Sequence, residues 1–208
     1  MQELRIGVIG AWGRGALARY AHDPDNGVRV VAGADPVDAQ LEHFKEHYGA
    51  DDVRVYHDYR ELLEQDDIDA VFVTSPDFCH EEQAVAALDA GKHVYLAKPI
   101  AVDVPGCRSI EASGKLATKN GLSFIVDFQT RASEAYKEAI KRVHGGLMGE
   151  LCFGEAMYHA DDPFKLAPEI LGPDPNDPEA RLRIWGVDRV LSGDIITEQN
   201  IHVLDVMS

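Results

Sequence analysis

A chain of 208 residues is long enough for one complete domain and part of a second. With 36 Asp and Glu against 20 Lys and Arg, its net charge of −16 argues against nucleic acid and anionic membrane surfaces as partners. The apolar share of 45% is ordinary for a soluble globular protein, and three scattered cysteines fit neither a disulfide framework nor a zinc site, so a cytoplasmic protein without a metal is expected.

Leu4–Ile9 reads as an opening strand with no charged-then-apolar leader before it, so no secretion signal is expected. Arg14–His22 follows as a short helix and Val28–Ala34 as a β-branched strand. Val37–Tyr48 is a helix with Leu41, Phe44 and Tyr48 on one face. Val53–Tyr56 is a short strand. Ile68–Thr74 is apolar on both faces, the pattern of a buried parallel strand. In the helix Glu81–Ala90, Ala84, Ala87, Leu88 and the following Gly91 fall at i, i+3, i+4 and i+7. His93–Ala97 is a strand, Gly106–Lys119 a helix, Leu122–Asp127 a strand and Ala132–His144 a helix stopped by Gly145-Gly146. Strands separated by helices of this length predict βαβ units and an α/β doubly wound parallel sheet. The pattern then changes. Leu151–His159 alternates like a strand exposed on one face, the proline-rich Asp161–Pro178 reads as a loop, and Ile195–Met207 reads as a helix.

Gly10-Ala11-Trp12-Gly13-Arg14-Gly15 joins the first strand to the first helix. Glycines there allow a sharp turn and close approach of a pyrophosphate, which the helix N-terminus attracts. The usual spacing is Gly-x-Gly-x-x-Gly; Gly10 and Gly15 hold the outer positions and Trp12 replaces the middle glycine. Its ring is expected over the pyrophosphate or beside the nicotinamide half, with Gly13 supplying the freedom the turn needs. Asp35 ends the second strand, 20 residues past Gly15, where an acid accepts from the adenosine ribose hydroxyls. It is followed by Pro36, Val37 and Asp38 rather than by a base that would hold a 2′-phosphate, so NAD is expected over NADP. Residues 1–125 are accordingly read as a Rossmann dinucleotide-binding domain. Residues 126–208 are read as the start of a second, substrate-side domain that is incomplete, since the strand at Leu151–His159 needs partners for its backbone groups.

Three further segments carry a resemblance. Thr74-Ser75-Pro76-Asp77-Phe78-Cys79-His80, Ala90 to Pro99 with its Ala97-Lys98-Pro99, and Ser192 to His202 with Asp205 resemble, in order and spacing, the motifs of the Gfo/Idh/MocA oxidoreductases. Gly121–Arg131 and Gly149–His159 are also similar to that family. The resemblance implies a Rossmann domain followed by a domain built on a large open antiparallel sheet, which often serves as an interface, so a homo-oligomer is expected. It implies hydride transfer between NAD(P) and a hydroxyl of a sugar or cyclitol. The family's Glu-Lys-Pro is Ala97-Lys98-Pro99 here, and its Asp-x-x-x-His is Glu198-x-x-x-His202.

Oxidising a carbinol needs a base for the hydroxyl proton, and His202 is the candidate by type. Lys98, just past a strand, suits stabilisation of alkoxide charge. Glu198, His202 and Asp205 fall at i, i+4 and i+7, where Glu198 could orient His202 or touch substrate and Asp205 do likewise. The same stripe could instead be a solvated helix side, or a carboxylate–His metal site that no further ligand cluster supports. Ser75, Pro76 and His80 are placed by the resemblance at the nicotinamide half, although His80 could be simply a first-turn residue. Arg131 is assigned to a substrate hydroxyl or carboxylate, or else to an ion pair with Glu134. Arg183 and Trp185 have no role beyond packing. The expected function is that of a nicotinamide-dependent dehydrogenase of secondary alcohols. An NAD-dependent glycosidase and a non-catalytic dinucleotide-binding module are the alternatives.

Overall fold

The computed structural model describes residues 3–159, Glu169, Asp174 and 176–208. Its contacts divide the chain into two compact units, Met1–Val126 and Asp127–Ser208.

The first unit is built on strands β1 (Leu4–Ile9), β2 (Val28–Ala34), β3 (Arg54–Tyr56), β4 (Ala70–Val73), β5 (His93–Ala97) and β6 (Phe124–Asp127). They form a six-stranded sheet in the order β3-β2-β1-β4-β5-β6. The pairs β1–β2, β1–β4, β2–β3 and β4–β5 are all parallel. The chain winds outward from β1 through β2 to β3, then returns to β4 on the other side of β1. That reversal splays the β1 and β4 connections apart at the carboxyl edge, and ligands of doubly wound sheets bind in the crevice so formed.

Two buried clusters show why the helices sit where they do. Leu41 and Phe44 on α1 (Asp38–Tyr48) pack with Ile6, Val8 and Val30 of β1 and β2. Ala84, Ala87 and Leu88 on α3 (His80–Asp89), with Ile110 and Ala117 on α4 (Val104–Lys119), cover Val71, Val73, Val94 and Leu96. Phe44 is fully buried, and truncating it to alanine is worth about 3–5 kcal/mol of stability.

Two elements of this unit differ from the sequence pattern. The expected first α-helix is a 3-10 helix over Gly13–Tyr20; two glycines in its first three residues give the backbone little preference for the wider turn. A helix α2 (Tyr59–Leu63) lies between β3 and β4, with the Asp58 carboxylate accepting from Arg60 N. Five residues are too few to show a helical period.

The second unit contains α5 (Gln129–Ala132), α6 (Glu134–His144), α7 (Pro178–Arg183), a 3-10 turn (Trp185–Val187), α8 (Arg189–Ser192), a π-helical turn (Ile196–Asn200) and α9 (Ile201–Met207). The strand expected at Leu151–His159 is not formed: residues 151–159 have no regular structure and are exposed, Phe153 at 85%. Alternation alone does not make a strand, because its backbone groups need a ladder, and among the described residues none pairs with it. The antiparallel sheet expected for this part of the chain is therefore absent from the described residues. The expected loop Asp161–Pro178 lies almost wholly outside them. No described helix is long and apolar enough to cross a membrane.

Candidate functional site

The end of β1 and the start of the β4 connection meet at Gly10. It has φ of +81°, and a Cβ there would stand 2.7 Å from Ser75 N and 2.8 Å from Thr74 C. Only glycine fits both the conformation and the approach. The Thr74 hydroxyl lies 3.0 Å from the carbonyl oxygens of both Ile9 and Gly10, and Thr74 N donates to Ile9 O at 2.9 Å. Gly15 packs so closely that a Cβ would sit 2.0 Å from Gly10 O. Gly13 is different: at φ of +61° it has nothing within 4 Å of its missing side chain. The turn is thus locked at both ends and presents bare backbone to open space in the middle, which fits a pyrophosphate. Arg14 is exposed beside it.

Asp35 follows β2 on the same edge. Its Oδ2 accepts from Ala11 N at 3.2 Å and its Oδ1 from Val37 N at 3.0 Å. Burial pushes its carboxyl above the usual aspartate value, against the pull of those two backbone bonds and of His57 nearby. The acid and the glycine turn are therefore one bonded unit. Trp12 is a correction to expectation. Its indole stacks on His43 of α1 at 5.4 Å between ring centres and meets His47 edge-on at 5.9 Å. The ring is turned to α1 rather than over the space beside Gly13, because two imidazoles on the second and third turns of that helix offer it a flat partner.

Across the crevice the β4 and β5 connections are tied together. Ser75 donates its hydroxyl proton to Gln83 on α3. His80 is completely buried, with Nδ1 2.7 Å from Pro99 O and Nε2 2.9 Å from Ser75 O. The expectation that His80 meets the nicotinamide half is corrected here, since both ring nitrogens are engaged by backbone carbonyls. Pro76 starts the 3-10 turn Asp77–Cys79 that leads into α3. Lys98 leaves the end of β5, half-buried, and its bond to Pro99 is cis. Ala97, where the resembling family has glutamate, is 3% exposed and belongs to the strand's packed end.

In the second unit Glu198 and His202 are 6% and 7% exposed. The solvated-side alternative for this stripe is thereby excluded. Glu198 lies in the π-helical turn and His202 in α9, so the regular i, i+4 stacking expected of them is widened by the extra residue in that turn. His202 stacks against Tyr158 at 5.7 Å between ring centres. Asp205 points inward, its side chain 6% exposed, and takes the guanidinium of Arg131. Arg131 Nε lies 2.8 and 3.0 Å from the two carboxylate oxygens and Nη2 2.6 Å from Oδ1. The sequence assigns both to substrate; in the structure they hold each other, while Glu134 pairs with Lys137. They also help line a hollow of about 930 Å³ whose other walls include Tyr136, Ile140, Phe153 and Met207. Among the described residues no cluster of three His, Cys, Asp or Glu is placed to hold a metal ion.

Thr74 and Gln83 were not singled out by the sequence. A threonine ending a strand has many uses, and only the contact with the Gly10 turn marks this one. Gln83 falls three residues after His80 on the buried side of α3, which was a signal available in the pattern.

Comparison with known proteins gives a consistent result. The pattern of an oxidoreductase family with an NAD-binding Rossmann fold, Gfo/Idh/MocA, matches residues 4–128. Inositol 2-dehydrogenase of Salmonella paratyphi B is 32% identical over 151 residues, 71% of this chain and 43% of that protein. The structure of scyllo-inositol dehydrogenase from Lactobacillus casei with bound NAD(H) and scyllo-inositol aligns with a TM-score of 0.63 at 29% identity, covering 72% of this chain and 43% of that one. That of myo-inositol 2-dehydrogenase from Lactobacillus plantarum aligns with a TM-score of 0.73 at 26% identity, covering 99% and 56%. The chain spans less than half the length of the curated inositol dehydrogenase it matches.

Proposed function

The chain belongs to the Gfo/Idh/MocA family of NAD-binding oxidoreductases, and from that premise we propose that it serves an NAD-dependent dehydrogenase of a cyclitol, sugar or related polyol. The observation that carries the reading is the bonded pair of Asp35 and the glycine turn at the sheet's reversal point. Inositol dehydrogenases among the relatives and neighbours support the substrate class.

The residues divide the work as follows. Gly13 and Trp12 N, in a turn shaped by Gly10 and Gly15, hold the pyrophosphate with backbone donors and Arg14 adds one exposed cation. Asp35 accepts from the adenosine ribose hydroxyls and repels a 2′-phosphate, which sets NAD over NADP. The Ser75-Pro76 segment faces the nicotinamide half with its backbone. When bound, NAD supplies the acceptor for the hydride that leaves the carbinol carbon. Lys98, on the first unit, would stabilise negative charge that develops on a substrate oxygen. His202 takes the hydroxyl proton at a ring nitrogen. Glu198, buried one turn before it, sets the orientation of that ring. Arg131 and Asp205 shape the wall of the hollow in the second unit rather than binding substrate directly.

The test is calorimetric binding of NAD, followed by a screen of cyclitols and sugars for NADH absorbance. NAD binding with net NADH from a polyol is the expected result. No binding of either dinucleotide overturns the reading. Release of sugar from a glycoside without net NADH replaces it with the glycosidase alternative.

A further inference from the structure

His80 is the first residue of α3, and its ring is 0% exposed. Both of its nitrogens are within hydrogen-bond distance of backbone carbonyl oxygens, Pro99 O at 2.7 Å and Ser75 O at 2.9 Å. A carbonyl oxygen can only accept. A neutral imidazole carries one N–H, so in that form its other nitrogen would turn a lone pair toward an oxygen lone pair at contact distance. Only the doubly protonated ring donates to both. We propose that His80 is held as an imidazolium, and that this cation is the tie fixing the Ser75 and Lys98-Pro99 connections to each other on the β4 side of the crevice.

The two partners place the tie. Ser75 starts the connection from β4, and Pro99 follows Lys98 at the end of β5. One ring therefore sets two loops from neighbouring strands, and the charge makes both bonds short and strong. A buried cation is costly to desolvate, and the two charge-assisted bonds to carbonyl oxygens offset part of that cost. Asp77, three residues earlier on the adjoining turn, is itself 3% exposed. Asp77 and Glu82 both lie close enough to Cys79 to raise its thiol, which burial pushes to about 11 and so keeps neutral. Glu82 also takes the guanidinium of Arg60 and the hydroxyl of Tyr59 from α2. At the α3–α4 contact stand Glu81 and Asp103, the latter capping Gly106 N. Lys98, beside Pro99, is the opposing cation.

The consequence is a direction with pH. The tie is intact while the ring keeps both protons and is lost as pH rises and one is released. The loops carrying Ser75 and Lys98 then lose a shared support, and dinucleotide affinity falls with rising alkalinity. This part rests on the reading of the crevice as an NAD site.

The experiment separates the two ideas. Nitrogen-15 labelling and NMR on the whole chain report the proton on each ring nitrogen of His80, with the resonance assigned in the native chain by correlation to its own backbone. Both nitrogens protonated at neutral pH is the expected result, whether or not NAD binds. One bare nitrogen overturns the proposal. NAD affinity is then measured from pH 6 to pH 9, a window of about one and a half units on either side of neutral-to-mild alkalinity. The native chain is expected to weaken by about tenfold across it. His80→Asn can reach only the Pro99 side and His80→Gln only the Ser75 side, so both should bind weakly with a flat profile. A variant that keeps native affinity and the native pH profile overturns the tie. If neither variant folds, the NMR result on the native chain still decides. If no dinucleotide binds at any pH, the functional reading fails while the ring's charge remains measured.

Discussion

Arg131 and Asp205, 74 residues apart, join as a two-point fork on a carboxylate, and the two partners differ sharply in exposure: 65% for the arginine side chain, 6% for the aspartate. Asp205 strengthens the hold of Arg131 on its proton, mainly through the hydrogen bond. The asymmetry predicts unequal mutants. Arg131→Ala leaves a buried carboxylate without its cation, whereas Asp205→Ala leaves a guanidinium that water can solvate. The first should cost about 2–3 kcal/mol and the second about 1 kcal/mol or less, after allowance for solvent screening of the exposed partner. Urea unfolding of both variants checks this; equal losses would show that the pair contributes through geometry alone.

Asp35 sets the second expectation. Its carboxyl sits above the usual aspartate value of 3.8 because burial opposes the charge. The charged form is the one that the proposed function assigns to the ribose hydroxyls. Affinity for NAD should therefore be full at neutral pH and decline on acidification before an ordinary aspartate would begin to titrate. Asp35→Asn should bind NAD about tenfold more weakly and show no such acid limb. It should also narrow the preference for NAD over NADP. Titration of both dinucleotides at several pH values decides, and a native preference for NADP would sink the assignment.

The glycine turn predicts a ranking. A methyl at Gly15 meets a carbonyl oxygen at 2.0 Å, and one at Gly10 meets backbone at 2.7 Å with an unfavourable φ. Neither obstacle is a flexible side chain. Gly15→Ala and Gly10→Ala should each cost several kcal/mol, beyond the 1–3 kcal/mol of backbone strain alone. Gly13→Ala meets no atom and should cost about 1 kcal/mol in stability while weakening NAD binding, since its methyl would fill the open space. Thermal unfolding and calorimetry on the three variants test the order; a Gly13 variant less stable than the other two would overturn it.

Catalysis gives the fourth. Lys98→Met and His202→Ala should each lower turnover by about 10²-fold or more in the enzyme, with NAD affinity little changed for His202→Ala. Glu198→Gln, which keeps the shape but not the charge, should shift the pH dependence of kcat more than it lowers KM. Steady-state kinetics distinguish these outcomes, and near-native turnover in either of the first two variants removes its assigned role.

Much of the first unit was legible because its signals are local and strong. β1, β2 and β5 coincide with their apolar runs, and α1 and α4 begin and end within two residues of the helical pattern. The parallel sheet followed from the alternation of the elements. Other features depend on contacts that no local window contains. Trp12 turns to His43, about 30 positions along the chain, because α1 packs beside the turn. His80 looks like an opening helix residue until Pro99 and Ser75 close on it. Arg131 has an acid three residues away, yet it binds one on the last helix. The alternation at Leu151–His159 is genuine, but pairing is a property of two segments and not of one.

The bond from Ala11 N to Asp35 has a further consequence for how a guest is received. The amide of Ala11 is already committed to the Asp35 carboxylate, so the turn holds its shape while empty. A ligand arriving there meets a finished mould. The loss of loop freedom that would otherwise be charged against binding has been settled during folding, and encounter need not wait for the loop to find its shape.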